Sequence, residues 1–342
     1  MKVSVILTVL NEAQSLPRLL DSLAAQTLRP DQVIVADGGS TDGTLALLQA
    51  EQARARLPLF ILEQPGSNIA QGRNSAIAAA RGEIIAVTDA GVRLAPEWLE
   101  NLLAPFQEGA AKPVGVAGFF RPDPCTLFEV AMAATVLPEL RDIKPDRFLP
   151  SSRSLAVRKE AAQMVGGYPE WLDYCEDLVF DLRLKNLFRG FAFAPDALVF
   201  FRPRRTLGAF FKQYFRYARG DGKADLWRTR HLIRYATYLL AVPFIGLLGW
   251  RRNPRWWALS LISLPAMFAT PWRRLRPLWR DYGLRDRVEA IAWVPVIRLT
   301  GDVAKMLGYP MGLWWRWRHK PPDWRDWNSG KNNVGHTTRN DR

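Results

Sequence analysis

Sulfur and imidazole chemistry are nearly missing from this chain: 342 residues contain two cysteines and three histidines. Cys125 and Cys175 are too few for a disulfide framework or a cysteine-based metal site. Two free, buried thiols in a reducing compartment are expected. His231, His319 and His336 lie outside every polar cluster named below, so none is given a catalytic role. There are no internal repeats and no low-complexity segment, only a polar tail after about residue 321. Long apolar runs are missing too. The two longest, residues 235–250 and 256–272, hold 16 and 17 residues. That is about 25 Å of helix, against a hydrocarbon core of ~30 Å.

Acidic residues become scarce after residue 200. Residues 201–342 carry 28 Lys/Arg against 9 Asp/Glu, a net of +19, whereas residues 1–200 carry 19 against 24, a net of −5. Twelve of the 14 tryptophans also lie beyond residue 200. A mildly acidic domain is therefore joined to a basic, Trp-rich one. Arginine and tryptophan interleaved with apolar runs suit a membrane–water interface. They fit a nucleic-acid groove less well, because such a groove has no use for apolar runs of this length, so no nucleic-acid partner is expected.

The segment Phe210-Phe211-Lys212-Gln213-Tyr214-Phe215-Arg216-Tyr217 is aromatic and basic together, as in a helix lying in an interface. The runs 235–250 and 256–272 form either a thin two-helix hairpin or in-plane helices. Three arginines in the loop between them, Arg251, Arg252 and Arg255, disfavour a crossing. A third run, residues 290–317, is interrupted by Arg298, Asp302 and Lys305 and reads as interfacial. The rival reading is a soluble helical domain with an apolar core. The start of the chain is too short and too polar for a signal peptide. It reads instead as the first strand of a domain that stays in the cytoplasm, held at the cell membrane.

Residues 3–8, 33–36, 59–62 and 84–88 are short apolar strands, each followed by helical periodicity. Ser15 and Asp42 can cap the first two helices, and Gly82 is placed to stop an Ala-rich third helix over 69–80. Alternation at this spacing predicts an α/β fold with a mostly parallel, Rossmann-like sheet covered on both faces. Further on, a helix is expected over 129–137, a strand over 155–157, a helix starting near Asp177, and closing strands over 191–193 and 198–201.

Polar clusters sit at the strand ends. Thr8-Val9-Leu10-Asn11-Glu12 follows the first strand, and Asp37-Gly38-Gly39-Ser40-Thr41-Asp42-Gly43 follows the second. Gly72-Arg73-Asn74-Ser75 lies in the third helix, and Thr88-Asp89-Ala90-Gly91 follows the fourth strand. Glu176-Asp177 and Gln213-x-x-Arg216-Tyr217 come later. An acid at the tip of a buried strand, followed by glycines and a helix start, is how an open α/β sheet meets a nucleotide.

In their joint order these motifs resemble the inverting family 2 glycosyltransferases with the GT-A fold, over roughly residues 3–220. The resemblance implies transfer of a sugar from a nucleotide sugar, with a UDP-sugar favoured, to a lipid-linked or saccharide acceptor. It places Thr8, Glu12, Asp37, Gly39, Arg73 and Asp89 around the nucleotide, with Arg73 reaching the pyrophosphate. Asp177 matches the general base, beside Glu176. Arg153, Gln213, Arg216 and Tyr217 are implied at the diphosphate and acceptor. Asp89 matches the first acid of the family's Asp-x-Asp motif, which holds a divalent cation, Mg²⁺ or Mn²⁺. Gly91 stands where the second acid belongs, which puts metal dependence in doubt. Alternatives are a polyprenyl-phosphate sugar synthase and a nucleotide-sugar-binding membrane protein without turnover. The expected organisation is a GT-A catalytic domain over 1–208, an amphipathic interfacial helix over 209–232, membrane-associated helices over 233–320, and a polar tail over 321–342.

Overall fold

The computed structural model describes residues 1–107, 113–188, 190–253 and 255–325. The expected polar tail falls outside these from residue 326 onward. The chain divides into two compact units. The first comprises Met1–Arg121 and Leu140–Phe201 with residues 321–325, and the second Pro122–Glu139 and Arg202–Lys320. The division is not a single cut, because a segment expected within the catalytic domain belongs to the second unit.

In the first unit the order begins β1 (Val3–Val9), α1 (Leu16–Ala24), β2 (Gln32–Asp37), α2 (Thr44–Arg54), β3 (Leu59–Glu63), α3 (Ile69–Ala79) and β4 (Ile84–Val87). It continues with β5 (Val92–Leu94), α4 (Trp98–Gln107) and β6 (Gly115–Pro122). After α5 (Leu127–Val136), which lies in the second unit, come β7 (Leu155–Arg158), α6 (Lys159–Met164), α7 (Glu176–Phe188) and β8 (Ala192–Phe201). The eight strands form one sheet in the order β3-β2-β1-β4-β7-β6-β8-β5. The first four pair in parallel, while β4–β7, β7–β6 and β5–β8 pair antiparallel. A Rossmann-like parallel half is thus extended by an antiparallel half, and the two expected closing strands are one strand, β8.

The parallel strands read as continuous apolar runs because both faces are covered. Val5, Leu7, Val33, Val35 and Ala86 point into a core shared with Leu16, Leu19 and Leu20 of α1 and Trp98 and Leu102 of α4. Their alternates Ile6, Ile34, Ile85 and Val87 point into a second core with Ala76 of α3 and Phe180 and Leu184 of α7. Helix α3 opens on a reciprocal cap in which Asn68 accepts from the Gln71 amide and the Gln71 side chain accepts from the Asn68 amide. Gly82 does not cap its far end. A Cβ there would sit 2.5 Å from the Ser4 nitrogen, so this glycine is needed for close approach to β1.

The second unit adds α8 (Leu207–Lys223), α9 (Arg228–Tyr235), α10 (Val242–Arg251), α11 (Trp256–Leu275) and α12 (Leu284–His319). A π-helical segment, Ala236–Ala241, joins α9 to α10. The resulting Arg228–Arg251 helix is long and apolar enough to cross a membrane by length and composition, and 6% of its most apolar window is buried. Its 24 residues give about 36 Å, more than the apolar run alone, because the helix extends back to Arg228. Helices α8 and α12 meet along a glycine seam. Cβ atoms at Gly308 and Gly312 would lie 2.2 Å from the Phe215 carbonyl oxygen and 2.1 Å from that of Arg219. Val130 and Met132 of α5 and Val294 and Ile297 of α12 share the apolar centre of this unit.

The seam makes a specific stability prediction. Gly312→Ala is expected to lower stability by about 1–3 kcal/mol, the usual cost of overpacking. Gly246→Ala in α10, where a Cβ meets nothing closer than 4.0 Å, is expected to leave it unchanged or raise it. Thermal unfolding of both variants in the same detergent measures the contrast.

Candidate active site

Helix α3 is pressed against the carboxyl end of β1, since a Cβ at Gly72 would come within 2.8 Å of Thr8 Cγ2. That closeness buries the next residue, Arg73, to 2% exposure. Its Nη2 donates to Asp89 Oδ1 at 2.9 Å and its Nη1 to Glu176 Oε1 at 2.8 Å. One guanidinium therefore joins α3, the turn after β4 and the first turn of α7. The Tyr168 ring lies 5.1 Å from the guanidinium carbon and stacks on Phe180 at 4.2 Å. The resemblance assigns Arg73 to a pyrophosphate. Here both terminal nitrogens are committed to carboxylates, so Arg73 orders the acids.

Glu176 and Asp177 open α7 directly after Cys175, whose φ of 65° turns the chain sharply into the helix. A left-handed, non-glycine residue at such a point stores strain that the surrounding packing must hold. Cys175 is half-buried and Cys125 exposed, so neither is buried as expected. Burial first, then the charge of Asp177, pushes Glu176 up to about 7 despite its bond to Arg73. The same two causes push Asp181, one turn further along α7, well above the ordinary carboxylate range. Asp181 is 1% exposed, and its Oδ1 has no hydrogen-bond partner.

The loop before α7 is fixed by Asn74, which accepts from the Tyr168 amide at 2.8 Å and donates to the Tyr168 carbonyl at 2.9 Å. Gly167 has no room for a side chain beneath it, since a Cβ would lie 2.4 Å from Asn74 Oδ1. Neither Asp181 nor Asn74 was singled out from sequence. The available signals were a second acid one helical turn from Asp177 and an amide beside Arg73.

At the other end of the crevice, Asp37 is 2% exposed and closes its own turn. It accepts from the Ser40 amide at 3.1 Å, the Gly39 amide at 3.3 Å and the Ser40 hydroxyl. A carboxylate has about four acceptor positions, so little capacity is left for a ligand. The loops after β1 and β2 are zipped together. Asn11 accepts from the Thr41 amide at 2.8 Å, and the Glu12 amide donates to Thr44 at 2.8 Å. The Glu12 carboxylate is taken by the Ser15 hydroxyl. Strand register sets Val9 beside Asp37 and Ile6 beside Val87. Asp37, Thr8 and Asp89 thus lie at the carboxyl ends of three adjacent parallel strands, the outer two about 10 Å apart. The strand order reverses direction between β1 and β4, the place where open α/β sheets hold ligands.

Arg153 is the half-buried guanidinium of this edge. Its Nε is 3.8 Å from Asp89 Oδ2, and its guanidinium carbon lies 4.6 Å from the Phe201 ring centroid. Gly91 has nothing within 4 Å of a would-be Cβ, so the missing second acid is not excluded by space. Among the described residues no group of three or more His, Cys, Asp or Glu could hold a metal ion. Gln213, Arg216 and Tyr217 belong to the second unit, where Gln213 donates to the Tyr217 hydroxyl at 2.7 Å.

The raised Glu176 fixes a sign. The folded chain binds a proton that the unfolded chain has released between about 4.5 and about 7, so folding stability falls as pH rises through that interval. In Glu176→Gln this fall is expected to be shallower. Melting temperatures at half-unit pH steps measure the difference between the two proteins.

Residues 4–152 match the family model "Glycosyl transferase family 2". Glycosyltransferase AglE of Haloferax volcanii is 28% identical over 245 residues, 70% of this chain and 79% of that protein. Succinoglycan biosynthesis protein ExoA of Rhizobium meliloti is 29% identical over 229 residues, 64% of this chain and 68% of that protein. The fold is shared with mannosyltransferase PcManGT of Pyrobaculum calidifontis, at a TM-score of 0.53 and 18% identity over 94% of this chain and 88% of that one. With acids, glycines and a buried arginine gathered at the switch point of such a sheet, residues 4–152 are a family 2 glycosyltransferase region, and the chain is an enzyme of glycosyl transfer from a nucleotide sugar, built on a GT-A fold.

Proposed function

We propose that the chain is an inverting glycosyltransferase in which Asp177 takes the proton from an acceptor hydroxyl as that oxygen attacks the anomeric carbon. The observation that carries this reading is the Arg73 bridge, which holds Glu176 and Asp89 in one crevice and sets Asp177 beside them. A half-buried carboxylate next to buried acids suits a general base, because its neighbours hold their protons and do not compete for the acceptor's. The donor nucleoside lies along Thr8, Gly39 and Asp37, and its diphosphate lies toward Asp89 and Arg153. Arg153 supplies a planar fork for phosphate oxygens.

A divalent cation fits this edge only in one way. Asp89 is the single carboxylate available, and Mg²⁺ binds readily to one carboxylate completed by substrate phosphates and water. Held so, Mg²⁺ or Mn²⁺ would offset charge on the departing diphosphate. PcManGT was solved with GDP-mannose and Mn²⁺, which supports a cation and leaves the favoured UDP-sugar to be set against a GDP-sugar. The basic, Trp-rich helices support a membrane-borne acceptor, with the catalytic unit on the cytoplasmic face, and Gln213, Arg216 and Tyr217 are the acceptor-contacting residues that the resemblance implies. If the acceptor is a polyprenyl phosphate, the product extracts as a sugar-phosphate-lipid.

Two experiments test the proposal. Asp177→Asn is expected to lower transfer by roughly 10²–10⁴-fold with nucleotide binding retained; equal loss of both would reassign Asp177 to structure. A thermal-shift panel of UDP- and GDP-sugars, with and without Mg²⁺ or Mn²⁺, is expected to show one donor raising the melting temperature by mass action. A cation that enhances the rise in the wild type but not in Asp89→Asn places it at Asp89.

A further inference from the structure

Helix α12 is amphipathic in reverse. Asp302 is 4% exposed, whereas its neighbours Leu299 and Val303 are 46% and 48% exposed. Asp302, one of the charges that interrupt this run, faces the interior of the helical unit, while Leu299 and Val303 face out. Asp302 accepts from Arg234 Nε at 2.8 Å and from the Tyr238 hydroxyl at 2.9 Å, and lies 3.2 Å from Arg298 Nε. Lys305 shares the field of Arg234, Arg298 and Asp302, with its ammonium 4.8 Å from the Tyr214 ring centroid. The second acid in reach, Asp221, lies 3.1 Å from His231 Nε2. Arg234 Nη1 is 3.2 Å from His231 Nδ1; arginine can only donate, so Nδ1 accepts and Nε2 donates to Asp221.

Three cations thus face two carboxylates, one of them already turned to a histidine. An unbalanced positive charge among apolar helices is costly unless an anion completes it. Arg298 is the member open to the outside: its side chain is 42% exposed, although its Nε is buried beside Asp302. On either side of it lie uncovered apolar residues: Leu239 and Leu240 on the segment joining α9 to α10, and Val296, Leu299 and Val303 on α12.

We propose that Arg298, with Arg234 and Lys305 behind it, binds the phosphate of an anionic membrane phospholipid whose acyl chains lie along these flanking apolar faces. The assignment rests on the membrane-associated reading above. Charge complementarity selects the headgroup, and the apolar flanks select a lipid over a free anion.

The test uses the full chain in neutral detergent, with dioleoyl-phosphatidylglycerol or dioleoyl-phosphatidylcholine added to the micelles, or inorganic phosphate to the buffer. Phosphatidylglycerol alone is expected to raise the melting temperature. In Arg298→Gln the concentration for half the rise should increase about fivefold, the worth of one cation near an anionic surface. In Arg298→Gln/Lys305→Met the rise should vanish. Arg298→Lys keeps the charge and is expected to keep most of the rise, which guards against a folding artefact. Arg251→Gln/Arg252→Gln, equally basic but outside the cluster, should keep it entire. An equal rise with phosphatidylcholine or with inorganic phosphate, or a rise that survives in the double cluster variant, overturns the proposal. Flotation on neutral vesicles separates the two readings. A chain that floats but shows no phosphatidylglycerol response loses this site and keeps its membrane association, while a chain that floats on no vesicle of any composition loses both.

Discussion

The catalytic unit depends on one buried guanidinium. Arg73 lies in α3, yet it grips both the acid after β4 and the acid that starts α7. Breaking a buried pair by removing one partner typically costs 3–5 kcal/mol, because the remaining charge is left uncompensated. Replacing the whole group by apolar residues would cost little in stability, so the arrangement is best understood as positioning. The arginine converts three separate pieces of chain into one surface of fixed geometry, and its charge offsets part of the repulsion among the acids gathered there.

Much of this was legible in the sequence. The parallel strands announced themselves as short apolar runs because both of their faces are buried. Asp37 and Asp89 were visible as acids closing such runs. Glu176 and Asp177 were visible as a pair at a helix start. What stayed hidden was partnership across long separations. Arg73 and Glu176 are 103 positions apart, and no local period signals that they meet. Asn74 reads as an ordinary helix residue until Tyr168 is seen to hydrogen-bond with it through the backbone. The antiparallel half of the sheet was blurred because β8 is only half-buried and its apolar pattern is broken by Pro195 and Asp196.

The helical unit misleads in a different way. Composition indicated an apolar, basic region, and the charges inside the third run read as the mark of an interfacial helix. The glycine seam explains the reversal. Gly301, Gly308 and Gly312 let α12 lie almost backbone to backbone on α8. One side of α12 is consumed by that contact, Asp302 points to Arg234 of α9, and Val296, Leu299 and Val303 remain uncovered.

Gly91 carries a wider consequence. The space around it is open, so restoring an acid there would meet no steric barrier; what it would change is the electrical balance of the edge. With Arg153 beside the one carboxylate of this edge, Asp89, the edge carries little excess negative charge. An added aspartate would turn it acidic and make tenancy by a phosphate contingent on a recruited cation.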